Sequence, residues 1–118
     1  MTFSFPRSLR LLKKPQYDYV FQSAKKIGTH YATLLYRTNN LEHPRLGLIV
    51  SKKTAKRANA RNRFKRVSRE SFRLIQSSLP NVDIVILSRG KITESDNQVL
   101  FSEFNDAWQK LIKAKPKT

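Results

Sequence analysis

Residues 82–88, VDIVILS, form a nearly unbroken aliphatic run between Pro80 and Arg89-Gly90. A strand with one wet face alternates apolar and polar residues, whereas a continuous run is expected where both faces are covered. The rest of the chain must therefore supply a sheet and its cover. HYATLLYRT at 30–38 reads as a strand, NNLEHP at 39–44 as a turn, and RLGLIVS at 45–51 as a second strand. In that strand Leu46, Leu48 and Val50 lie on one face and Gly47, Ile49 and Ser51 on the other.

Three segments carry a helical period instead. Pro15 suits a first helical turn, with Tyr17, Val20, Phe21 and Ala24 following at i, i+3, i+4 and i+7 and Gly28 as the stop. A long helix is predicted over 54–78, ended by Pro80. A last amphipathic helix opens on a Ser95/Gln98 capping box and presents Leu100, Phe101, Phe104, Ala107, Trp108 and Leu111. Residues 1–14 read as a loosely packed basic arm and 113–118 as a frayed tail. The expected order is α-β-β-α-β-α, with room for one extra short strand. This is an α/β (α+β) two-layer sandwich, and 118 residues make one domain, 1–118.

The helix at 54–78 carries the strongest chemical signal. On a helical wheel Ala60, Phe64, Val67, Ser71, Phe72, Leu74, Ile75 and Leu79 share one apolar arc. Asn62, Lys65, Arg66, Arg69 and Arg73 fall opposite, with Arg61 and Arg63 near the arc's borders, closest to the sheet. From Arg45 to Arg73 there are eleven basic residues and one acid, Glu70. A merely solvated face would carry acidic partners at i+4, and like charges without them repel. Arginine also suits bidentate phosphate contact. The whole chain has 24 Lys plus Arg against 8 Asp plus Glu, a net +16 that draws in polyanions.

Other chemistries find less support. There are no cysteines for disulfides or thiolate metal sites, and His30 and His43 have no second ligand at metal spacing. The eight acids form no local pair suited to two-metal phosphodiester hydrolysis. No spanning apolar stretch and no secretory signal pattern is visible, so a cytoplasmic protein without membrane contact is expected. Tyr17, Phe21, Tyr31 and Tyr36 could stack unpaired bases, although aromatics at such spacings more often pack inward. Composition alone leaves a ribosomal-type or other non-catalytic structured-RNA binder, a DNA-groove reader and a protein-only nuclease as rivals. The apolar arc and the neighbouring strands argue against a helix-turn-helix, and the missing catalytic motifs favour a binder over a self-sufficient enzyme.

RLGLIVSKK (45–53) followed by RNRFKRVSRESFR (61–73) resembles the signature of the bacterial ribonuclease P protein component. That family carries Arg-Asn-Arg-x-Lys-Arg and then Arg-Glu, here Arg61, Asn62, Arg63, Lys65, Arg66, Arg69 and Glu70. KRANA (56–60), YDYVF (17–21) and LPNVDIVILSRG (79–90) match further family segments in the same order, so the resemblance spans about residues 9–112. Tyr17 stands where phenylalanine is usual, and Ala24 replaces a common glycine.

The resemblance implies a small mixed sheet with a left-handed crossover, against the usual right-handed rule. It implies a subunit that joins a catalytic RNA in removing the 5′ leader from precursor tRNA, the RNA and its Mg²⁺ performing the hydrolysis. By the same resemblance the single-stranded leader lies in a cleft formed by Tyr17, Phe21 and Tyr36, rimmed by Ser51, Lys52 and Lys53. The basic helix, with Arg57, Arg61, Asn62, Arg63, Lys65, Arg66, Arg69 and Arg73, faces RNA. No catalytic or metal-ligating residue is expected on the chain, which would be a monomer outside the holoenzyme.

Overall fold

The computed structural model describes residues 7–114. A short 3-10 turn at Arg7–Leu9 leads to α1 (Lys14–Gln22), β1 (Lys25–Gly28), β2 (Ala32–Thr38), β3 (Arg45–Ile49), α2 (Ala58–Ile75), β4 (Val82–Ser88) and α3 (Asn97–Ala114). The four strands form one mixed sheet in the order β1-β2-β4-β3. β2 is antiparallel to both β1 and β4, and β3 runs parallel to β4, joined to it across α2. No helix among the described residues is long and apolar enough to cross a membrane.

The VDIVILS run is β4, an inner strand, and its continuous apolar character has the expected cause. Val82, Ile84 and Ile86 face the main core beneath α2 and α3, while Val85 faces Leu11 and Val20 on the other side. The sheet and the α2/α3 pair form the sandwich, and α1 covers part of the opposite face. Phe64 of α2 meets Phe104 of α3 edge-on at 5.7 Å, and Phe72 meets Trp108 at 6.1 Å. The buried Trp108 indole donates to Ser71 Oγ at 2.7 Å, and Ser68 donates to the Phe64 carbonyl, so the small polar residues under α2 are satisfied.

Asp83 is the charged exception in the core, fully buried on the α1 face of β4. Arg45, its register partner on β3, donates Nε and Nη2 to its two oxygens at 2.9 and 2.7 Å, and Asn39 Nδ2 adds a bond of 2.8 Å. The hydrogen bond to Asp83 raises the Arg45 guanidinium above its ordinary pKa. Nearby, the Arg37 guanidinium lies 3.9 Å over the Tyr19 ring and donates to the Tyr19 carbonyl, an otherwise orphaned acceptor in the last turn of α1. Tyr19 in turn donates to the Thr38 carbonyl. These bonds fix α1 to the sheet.

Four expectations need correction. α1 stops at Gln22 rather than Gly28, and residues 25–28 pair with β2 as the additional short strand. The cap of α3 is Asp96, whose Oδ1 accepts the Val99 N–H at 2.8 Å; Ser95 is buried and donates to the Ile92 carbonyl instead. Leu74, at the edge of the apolar arc, is exposed, while Ser68 nearer its centre is buried. The basic arm is not loose over its described part: Arg10 bridges to Leu46, and Leu11 is buried, its N–H donating to the Leu46 carbonyl at 2.9 Å. The remainder of the arm at 1–6 and of the tail at 115–118 lies outside the described residues.

Candidate nucleic-acid interface

The basic residues of α2 divide into two groups. Arg61 Nη1 donates to the Ala55 and Lys56 carbonyls at 2.9 and 2.7 Å, closing the loop that feeds the helix. Arg63 donates to the Ile92 carbonyl at 2.8 Å and to Asn97 Oδ1 at 3.0 Å, tying α2 to the start of α3. Arg73 pairs with Glu70, whose carboxyl is held below the usual glutamate range by the Arg73 hydrogen bond. The side chains of Arg57, Asn62, Lys65, Arg66 and Arg69 make no hydrogen bond or ion pair with any described residue. All but the half-buried Lys65 are exposed. The ridge available to phosphate is therefore narrower than the sequence pattern suggests.

Beyond β3, Ser51, Lys52 and Lys53 are exposed in a turn. That turn is anchored rather than free: Ser51 N–H donates to Ser88 Oγ at 3.0 Å, and Thr54 Oγ1 lies 2.7 Å from the same oxygen. Ser88, which merely ends the aliphatic run in sequence, thus places the two lysines at the end of the sheet.

The α1 face of the sheet holds the second surface. Tyr17 packs directly on Gly47: a Cβ at that glycine would come within 2.6 Å of the ring. Its hydroxyl donates to the Leu11 carbonyl at 3.2 Å. Phe21, one turn further along α1, is 45% exposed and presents an uncovered aromatic surface, while Leu35 and Leu87 are partly buried on the sheet face beneath α1. Ile49 shares the face of Gly47 and is also exposed.

Tyr36 does not belong with them. It is 5% exposed and lies in the core under α2 and α3, because strand parity turns it to the opposite face from Leu35. Leu35 occupies the place assigned to Tyr36. Lys26 of β1, in register with Leu35 and so on the same face, adds a cation the sequence pattern had hidden inside an expected helix. Tyr17 and Phe21 are therefore brought together, with Lys26 on one flank and the Ser51-Lys52-Lys53 turn at the sheet's end.

A groove connects Tyr17 to α2 around the β3 edge. Arg10, Leu12, Tyr17, Gly47, Lys65 and Arg69 line it, so two ridge residues reach toward the α1 side of the molecule. The arrangement offers exposed rings, guanidinium and ammonium groups in series, a surface matched to an unpaired polynucleotide.

Known proteins resemble this chain in sequence and in fold. The ribonuclease P family pattern matches residues 5–112. The ribonuclease P protein component of Histophilus somni is 50% identical over 92% of both chains, and that of Pectobacterium atrosepticum 46% identical over 96% of this chain and 95% of its own. The Thermotoga maritima RNase P protein superposes with a TM-score of 0.76 at 28% identity, over 86% of this chain and 96% of that one. The Staphylococcus aureus RNase P protein shares the fold at 24% identity, with a TM-score of 0.80 over 89% of this chain and 95% of that one. With a family match over nearly its whole length and relatives this similar, the chain belongs to the ribonuclease P protein family.

Proposed function

We propose that this chain is the protein subunit of a ribonucleoprotein that cuts the 5′ leader from precursor tRNA in the cytoplasm. It binds the single-stranded leader on the α1 face of the sheet and the catalytic RNA along α2. The observation that carries this reading is the joint presence of two surfaces: exposed Phe21 beside Tyr17, and the side chains of Arg57, Lys65, Arg66 and Arg69, which have no partner among the described residues. Stacking on aromatic rings tolerates any base, at roughly 1–3 kcal/mol per base, and phosphate contact ignores sequence altogether. A subunit serving many different leaders requires that tolerance.

Chemistry in this reading belongs to the RNA and its Mg²⁺. Five of the eight acids are engaged within the chain: Asp83 is enclosed by Arg45 and Asn39, Glu70 is paired with Arg73, and Asp18 with Lys14. Glu103 accepts the Tyr31 N–H and Asp96 caps α3. What the protein supplies is position, by holding the leader extended and lowering the repulsion between two RNAs.

Reconstitution tests the proposal. Precursor tRNA is incubated with Mg²⁺ and the cognate RNA subunit, with and without this chain, and the cut site is mapped. Stimulated cleavage at the mature 5′ end, dependent on the RNA subunit, is expected. Cleavage by the chain alone, or no stimulation, would favour a protein-only nuclease or a ribosomal-type RNA binder.

A further inference from the structure

The turn at residues 51–54, Ser-Lys-Lys-Thr, holds two like charges side by side without the residues that usually make a turn. Neither central position is Gly, Pro, Asn or Asp, and adjacent ammonium groups repel one another. The turn is nevertheless closed: the Thr54 N–H donates to the Ser51 carbonyl at 3.2 Å, with Lys52 and Lys53 at its two corners. Both lysines are exposed and make no hydrogen bond or ion pair with any described residue, whereas Thr54 is buried. What keeps the two charges together is a pair of hydroxyl groups beside the turn.

Ser88 and Thr54 complete a hydrogen-bonded ring with Ser51, and counting protons gives it one direction. The Ser51 N–H can only donate, and it donates to Ser88 Oγ at 3.0 Å. The Ser51 carbonyl can only accept, and it takes the Thr54 hydroxyl at 2.8 Å. Thr54 has then used its one proton, so the 2.7 Å contact between the hydroxyls is a donation from Ser88 to Thr54. Each hydroxyl donates once and accepts once, and bonds in such a closed chain strengthen one another. The ring is also held at both ends. Ser88 is the last residue of β4, in register with Ala32 of β2, and the Thr54 carbonyl accepts the Ile92 N–H at 3.2 Å.

We infer that Ser88 and Thr54 are positioning residues for RNA binding. Their hydroxyls hold the Lys52-Lys53 turn in its binding geometry before RNA arrives, so that ordering the turn does not weaken the contact of the two lysines with phosphate. Both act through the lysines. This role rests on the reading of the chain as a leader-binding subunit, and the test separates the two.

Binding of precursor tRNA and of mature tRNA to the reconstituted holoenzyme is measured over a series of salt concentrations. The proteins are wild type, S88A, S88T, T54V, K52Q/K53Q and S88A/K52Q/K53Q. K52Q/K53Q is expected to lower the slope of log affinity against log salt by about 1.4, two single-strand phosphate contacts at about 0.7 each. S88A is expected to weaken precursor binding by about 2- to 12-fold, the worth of one hydrogen bond, at the wild-type slope, because both lysines still meet phosphate once bound. S88T, which keeps the hydroxyl, is expected to restore affinity. T54V keeps the side chain's volume and loses only the hydroxyl, so it repeats the S88A result from the other side of the ring. In the K52Q/K53Q background S88A is expected to have no further effect, since groups that act through one another are not additive. An S88A loss that persists undiminished in that background overturns the positioning role and leaves leader binding intact, as does S88A binding as tightly as wild type. An equal S88A loss for mature tRNA also overturns it, because the hydroxyls would then act on the fold or on structured RNA. A wild-type holoenzyme indifferent to the leader overturns the underlying reading, and the positioning role with it.

Discussion

Gly47→Ala is a one-carbon change whose sign depends on a single neighbour. The added Cβ would stand 2.6 Å from Tyr17 Cε1 and 2.7 Å from both Cζ and Oη. These are parts of a rigid ring whose helix is anchored through Tyr19 and Arg37, so it cannot swing aside cheaply. Overpacking of this kind costs about 1–3 kcal/mol. Gly47 lies in a β-strand, where alanine is unstrained, and without the clash the replacement would stabilise by about 0.4–1 kcal/mol through the unfolded chain. Each kcal/mol shifts the melting midpoint of a domain this size by roughly 4 °C. Thermal unfolding of the wild type, G47A, Y17A and the double variant therefore forms a cycle with opposite signs on its two arms. G47A lowers the midpoint by roughly 4–12 °C in the wild-type background and leaves it level or raised in Y17A. An equal loss in both backgrounds would refute the packing of Tyr17 on Gly47, and with it the geometry of the cleft.

Asp83→Ala removes one half of a buried ion pair and leaves Arg45 and Asn39 without their acceptor; chemical denaturation should show a loss of about 3–5 kcal/mol. Arg63→Ala should lower the unfolding midpoint, because it frees the Ile92 carbonyl and Asn97, whereas Arg66→Ala should leave stability unchanged and weaken RNA binding. The Glu70 carboxyl should titrate below the usual glutamate range by NMR and return to it in Arg73→Ala. Because its folded pKa is depressed, its contribution to stability is present above the unfolded value and is lost as pH falls through the folded one. With Glu70 half exposed, that contribution is small.

Legibility in the sequence followed how many faces of an element are buried. β4 was plain because an inner strand covered on both sides carries an uninterrupted aliphatic run, and α2 because Phe64, Val67 and Phe72 repeat at helical spacing opposite a cationic face. Tyr36 was misplaced for the same reason that β4 was easy. β2 also packs on both sides, so both parities of HYATLLYRT are apolar and neither marks the cleft. β1 has a single partly buried apolar residue, Ile27, and exists through its pairing with β2, which local pattern does not encode. The division of α2 arginines into structural and available ones depends on the carbonyls of Ala55, Lys56 and Ile92, brought near by loops. The bridge between Arg10 and Leu46 joins residues 36 apart in sequence, which local pattern does not encode.

The most direct measurement of the proposed role compares the affinity of precursor and mature tRNA for the catalytic RNA alone and for the RNA joined by this chain. Added protein is expected to strengthen precursor binding selectively, by a margin that grows with leader length until the cleft is filled and that shrinks in Phe21→Ala. Equal strengthening of precursor and mature tRNA, or none for either, would contradict a leader-binding subunit.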